Sequence, residues 1–88
     1  MNAHDICLTA AKLVNGERSK QHGEALENHR NIAELWTAYR GITFSPHDVA
    51  VMMALLKIAR TKTGTHNPDD YVDGAAYLGL AGQFAEGK

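Results

Sequence analysis

The sequence predicts an all-α fold, a four-helix bundle-like domain with a short first helix and an apolar central third helix. Three observations carry the prediction. Apolar residues recur at helical spacing along the chain, glycine or proline punctuates the intervals, and no stretch alternates apolar and polar residues as a half-buried strand would. Eighty-eight residues leave room for one core, so residues 1–88 are read as a single domain.

The first helix is expected from about Ala3 to Val14, with Ile6, Ala10, Leu13 and Val14 on one face. Asn15-Gly16 is expected to end it, because glycine takes the left-handed cap conformation cheaply. The polar stretch from Glu17 to Gly23 reads as a linker. The second helix spans about Glu24 to Arg40, and His29, Ile32, Leu35, Trp36 and Tyr39 form its amphipathic stripe. Gly41 closes it, and the connector from Ile42 brings Phe44 toward the core.

The third helix has the clearest start. Ser45 suits the N-cap, Pro46 the first helical position, and Asp48 the acid of a capping box near the positive end of the helix dipole. The run from Val49 to Leu56 is apolar on all sides and has to be covered all round. Four short helices in one chain do not suffice, so a second subunit is expected and the chain is read as part of a homo-oligomer. Gly64 is expected to end this helix after Lys62. The fourth helix opens on Asn67 and Pro68, with Tyr71, Val72, Ala75, Leu78 and Gly82 as its apolar or small face and a loose tail after Phe84. Ala75, Gly79 and Gly82 form a stripe of small residues, which points to close approach of another helix.

Composition removes several functions. A net charge of −1 gives no general affinity for nucleic acid or anionic membrane, and no basic helix interleaved with aromatics is present. The longest apolar run is far below the roughly 20 residues a bilayer requires. Cys7 is the one cysteine, so no intrachain disulfide forms and a reducing, cytoplasmic setting is expected. Neither Cys7 nor Ser19 or Ser45 has the setting of a nucleophile, and no Gly-rich phosphate loop occurs.

Two polar clusters stand out. Lys57 and Arg60 share a face of the third helix, and Asp70, Asp73 and Tyr77 share a face of the fourth. An antiparallel hairpin about the loop from Gly64 to Asn67 brings the two sets together. Read as a site, Lys57 and Arg60 neutralise the phosphates of a nucleotide or small phosphorylated ligand, while Asp70 and Asp73 hold Mg²⁺. Read as scaffolding, the same residues are a salt-bridge network tying two helices together. The second cluster is His22, Glu24, Glu27 and Asn28, in which the Glu pair suits a divalent cation or a solvated helix face, and Asn28 donates to a ligand or to backbone. Of the five histidines none has metal-motif spacing. His4 and His29 are expected at the surface or edge, His47 falls in a first helical turn, and His66 precedes the Asn67 cap, where it fixes the loop or touches a ligand.

The run Gly16-Glu17-Arg18-Ser19-Lys20-Gln21-His22-Gly23, followed by Glu27-Asn28 and Ile32-Ala33-Glu34-Leu35-Trp36, resembles the start of a small phage and prophage domain of unknown function, the DUF6378 family. Asp48 to Met53, Lys57-Ile58-Ala59-Arg60, His66, and Asp70 through Tyr77 resemble the rest of it. The Lys57/Arg60 helix followed by D-x-x-D-x-x-x-Y is also similar to phage nucleotide-modification-associated domains. More distantly it resembles the all-α nucleoside triphosphate pyrophosphohydrolases of the MazG and dUTPase type. That likeness implies a helical oligomer in the cytoplasm of a bacterial host. It also implies Mg²⁺ on Asp70 and Asp73, a nucleotide held by Lys57, Arg60, Tyr77, His22, Asn28 and His66, and release of pyrophosphate from a (d)NTP. The chain departs from the pyrophosphohydrolase pattern where Lys57 and Arg60 stand in place of acids and Glu24 and Glu27 lie too far upstream. A non-catalytic nucleotide sponge and a structural or interaction protein are the alternatives.

Overall fold

Capping side chains set the starts of three of the described helices; at the start of the second, Glu24 makes no side-chain cap hydrogen bond. Asn2 Oδ1 accepts the Asp5 N–H at 2.9 Å, and the Asp5 carboxylate accepts the Asn2 N–H, which starts α1 (Ala3–Lys12). The computed structural model describes residues 1–17 and 24–86, so most of the linker from Glu17 to Gly23 lies outside the described residues. The helix α2 (Ala25–Arg40) ends on Gly41 in the left-handed region, φ +71°, whose N–H donates to the Thr37 carbonyl at 2.8 Å. The helix α3 (Pro46–Arg60) opens as expected. The Asp48 N–H donates to Ser45 Oγ at 3.1 Å, the Ser45 N–H to Asp48 Oδ2 at 2.9 Å, and Pro46 takes the first position. The last helix is α4 (Pro68–Glu86), with Asn67 Oδ1 accepting the Asp69 N–H at 3.1 Å. Among the described residues there is no strand.

Three helix ends differ from expectation. After Lys12 the chain widens into a π-helical turn, Leu13–Glu17, instead of ending on a left-handed Gly16. The helix α3 closes at Arg60, with Thr61 as its C-cap and the Thr61 hydroxyl donating to the Ile58 carbonyl at 2.6 Å. Gly64, φ +76°, belongs to the loop that follows. The tail expected to be loose after Phe84 is helical through Glu86.

The core forms along α4. Val72, Ala76, Leu80 and Phe84 recur every four residues and are all buried. The first half of this stripe packs on Ala10 of α1, with Ile6 and Leu13 alongside. The second half packs Leu80, Ala81 and Phe84 on Ala50 of α3, with Ala25 and Leu26 of α2 and Val51 of α3 around them. Val49 and Ala50 have no exposed surface. The apolar face expected of the last helix is therefore rotated. Of Tyr71, Val72, Ala75, Leu78 and Gly82 only Val72 is buried, because turning Leu80 and Phe84 inward leaves Leu78 outside. Among the described residues the small-residue stripe meets no other helix, since nothing lies within 4 Å of a Cβ built on Gly79 or Gly82. At Gly74 a Cβ would sit 3.6 Å from Lys57 Cβ, an ordinary van der Waals contact.

The stripe of α2 holds over its first half, where His29 and Ala33 are buried and Trp36 meets the edge of Phe44 at 5.9 Å. The Phe44 N–H donates to Thr37 Oγ1 at 2.8 Å, which folds the connector back on α2. Leu35 and Tyr39 point outward, 71% and 85% exposed. On α3, α4 and α2 cover one side; Met52, Leu55, Leu56 and Ile58 on the other side are exposed. Among the described residues no helix is long and apolar enough to cross a membrane.

Candidate functional site

The α3–α4 hairpin brings Lys57 and Arg60 to Asp70 and Asp73. Lys57 Nζ lies 3.3 Å from Asp73 Oδ2, with both side chains largely covered. Arg60 Nε lies 3.6 Å from Asp70 Oδ1, and here Asp70 is buried while Arg60 is 58% exposed. The two pairs differ in character. The Lys57 stem lies beside Gly74, and its ammonium is held in the seam against Asp73. Arg60 sits at the mouth of the hairpin with more than half of its side chain exposed, and a guanidinium carries five N–H donors of which Nε is one.

Tyr77, one turn beyond Asp73 on α4, extends the seam and is half-buried. Its ring lies 6.2 Å from that of His29 on α2, in an edge-to-face arrangement. Asn28 is half-buried beside His29. His66 is exposed and leans its ring on Tyr71 at 5.7 Å, so it caps the loop side of α4. His22 lies outside the described residues. Glu24 and Glu27 are both exposed at the start of α2. Among the described residues no group of three or more His, Cys, Asp or Glu side chains is placed to hold a metal ion. Asp70 and Asp73 form a two-carboxylate set, each already facing a cation.

One polar residue differs from the expectation placed on it. His29 is not at the surface or edge but 6% exposed, between the rings of Tyr77 and Phe84, the latter 5.1 Å away. Its Nδ1 lies 2.7 Å from the Ala25 carbonyl oxygen. A carbonyl only accepts, so Nδ1 carries the proton and, in the neutral ring, Nε2 presents a bare lone pair. Nε2 is buried and has no hydrogen-bond partner among the described residues. The signal that would have found it is its position, since His29 shares the inner face of α2 with Ile32, Ala33 and Trp36.

The fold and the seam define a small all-helical domain with a paired-charge hairpin. The chain belongs to the family described as Domain of unknown function (DUF6378), which it matches over residues 5–85. It is similar to the Gene 55 protein of Mycobacterium phage L5, 51% identical over 76 residues, covering 85% of this chain and 49% of the relative. It is also similar to the Gene 55 protein of Mycobacterium phage D29, 39% identical over 84 residues, covering 96% of this chain and 56% of the relative. The chain thus spans about half the length of the curated relatives it matches. No solved structure matches it.

Proposed function

We propose that this domain binds a nucleotide, or another small phosphorylated ligand, without cleaving it. The observation that supports this reading is the state of Arg60, a half-engaged guanidinium at the mouth of the hairpin, one turn from Lys57. A phosphate arriving there gains bidentate donors while Arg60 gives up only a long contact to Asp70. Lys57, seated on Asp73, adds its charge from behind. Tyr77 lies at the inner end of the same seam, and in this proposal Asn28 and His66 contribute from α2 and from the hairpin loop. The setting is the cytoplasm of an infected bacterium.

Hydrolysis in the manner of the MazG-like enzymes is the second reading. Mg²⁺ is commonly held by one or two carboxylates together with substrate phosphates. For Asp70 and Asp73 to do this, the incoming phosphates have to draw Arg60 and Lys57 away first. The paired state of both carboxylates favours binding over cleavage. Calorimetry with ATP, AMP and cyclic nucleotides, with and without Mg²⁺, alongside a pyrophosphate-release assay, separates the two. Binding that is weakened in Arg60→Ala and accompanied by no pyrophosphate release is the expected result. Release that is lost in Asp73→Ala establishes the enzyme instead, and absence of any binding leaves the seam as scaffolding.

A second copy of the chain completes the helical bundle in this proposal. Met52, Leu55 and Leu56 lie at i, i+3 and i+4 on α3, each at least 40% exposed, which is a large apolar stripe for a chain acting alone. Light scattering at micromolar concentration should give a homo-oligomer that Leu55→Glu dissociates. A stable wild-type monomer would contradict this part of the proposal.

A further inference from the structure

We infer that the cavity where α2, α4 and the start of α3 meet binds a small aromatic carboxylate, with its charged end on Arg30 and its ring on an apolar floor. The site is separate from the Lys57/Arg60 seam and independent of it. His47, at the cavity, and Arg60, at the seam, stand at opposite ends of α3, a rise of about 20 Å.

The cavity measures about 490 Å³, within the range of small-molecule pockets. Its floor is apolar, with Leu26 from α2, Pro46 from the first position of α3 and Phe84 from α4. Three polar side chains line it from three helices: Arg30 on α2, His47 on α3 and Gln83 on α4. Among the described residues none of these three side chains has a hydrogen-bond or ion-pair partner.

Arg30 carries most of the argument. Glu27 and Glu34 stand at i−3 and i+4 on the same helix, the spacing at which a helical arginine finds a partner. Arg30 pairs with neither and lines the cavity instead. The acid of the α3 cap does not neutralise it either. Asp48 accepts the Ser45 N–H at 2.9 Å, and none of the residues lining the cavity is acidic.

This lining sets the ligand. An arginine with no acid beside it and the first turn of a 15-residue helix both favour an anion. One fixed positive charge matches a monoanion, and the guanidinium fork fits a carboxylate with two parallel N–H bonds. The imidazole of His47 and the amide of Gln83 supply further donors. The floor of Leu26, Pro46 and Phe84 suits a flat apolar body. An inorganic anion would leave that floor uncovered, and an uncharged aromatic would leave Arg30 without a partner.

The test is amide NMR titration of the full chain with phenylacetate, acetate, phenylacetamide and phenyl phosphate. Phenylacetate should bind with a Kd of about 1 mM or tighter and shift the amides of Arg30, His47 and Gln83. Acetate lacks the ring and phenylacetamide lacks the charge, so each should bind about ten times more weakly. Arg30 is exposed, so Arg30→Gln should keep the fold, monitored by circular dichroism, and lose about tenfold in phenylacetate affinity. Arg30→Lys, which keeps the charge without the fork, should retain part of it. Phenylacetamide binding as tightly as phenylacetate overturns the inference, as does the absence of shifts at about 10 mM phenylacetate. Shifts at Lys57, Arg60 and Asp73 in place of those at the cavity put the anion on the seam and also overturn it. Tighter binding of phenyl phosphate than of phenylacetate overturns the carboxylate assignment. Should Arg30→Gln not fold, the wild-type comparison of phenylacetate with phenylacetamide decides alone.

Discussion

Replacing Lys57 with methionine tests how much the inner ion pair contributes. At 3.3 Å and an effective dielectric of about 20, its Coulomb attraction is about 5 kcal/mol. Desolvation and the ordering of two side chains offset most of this, leaving a net of about 1–2 kcal/mol for a pair as covered as this one. The outer pair, longer at 3.6 Å and with Arg60 58% exposed, is screened by water and contributes under about 1 kcal/mol. Methionine keeps the stem of Lys57 against Gly74, so the substitution removes charge rather than packing. Urea denaturation of wild type, Lys57→Met, Asp73→Asn and the double variant gives the coupling directly. Each single variant should lose about 1.5–2.5 kcal/mol, and the double should lose about 1–2 kcal/mol less than the sum of the two. Additive losses, within about 0.3–0.5 kcal/mol, would refute the reasoning that Lys57 and Asp73 act as a partly desolvated pair.

Three further variants probe the frame that holds the seam. Ser45→Ala removes the oxygen that accepts the Asp48 N–H and should cost about 1 kcal/mol by chemical denaturation. Phe84→Ala empties the centre of the larger core cluster and should cost about 3–5 kcal/mol, enough to leave the chain partly unfolded at 37 °C in a thermal melt. Gly41→Ala meets no atom within 4 Å, so its loss of about 1 kcal/mol, read as a lower thermal midpoint, comes from the left-handed backbone alone.

Helix starts are the most legible part of this sequence, because capping chemistry is local. Ser45, Pro46 and Asp48 specify the start of α3 through atoms three residues apart, and the structure has that start. The ends of α1 and α3 are less legible, since Gly16 stays within a π-helical turn and α3 stops at Arg60, before the left-handed Gly64. The inward face of α4 is hidden for a different reason. Two overlapping apolar stripes are available, one through Tyr71, Ala75 and Leu78 and one through Val72, Ala76, Leu80 and Phe84, and only packing against α1 and α3 selects between them. Of the candidate site, the charge seam follows from i, i+3 spacing and a short hairpin loop, so Lys57, Arg60, Asp70 and Asp73 are brought together as the hairpin predicts. The helical spacing of His29 with Ile32, Ala33 and Trp36 marks it as an inner-face residue of α2, but the rings that cover it, Tyr77 and Phe84, lie about fifty residues away and are set by packing.

The uneven division of the core along α4 bears on how the chain opens. At one end α1 packs Ala10, with the partly buried Ile6 and Leu13, on Val72 and Ala76, smaller than the Leu80 and Phe84 that α4 carries at the other end. The two ends should therefore not come apart as one cooperative unit. Native-state hydrogen exchange would find the amides of α1 released through a low-energy fluctuation, with those of α3 and the second half of α4 protected up to the global limit. The N-terminal helix is then a detachable element, able to leave its place on the first half of α4 while the hairpin keeps its shape.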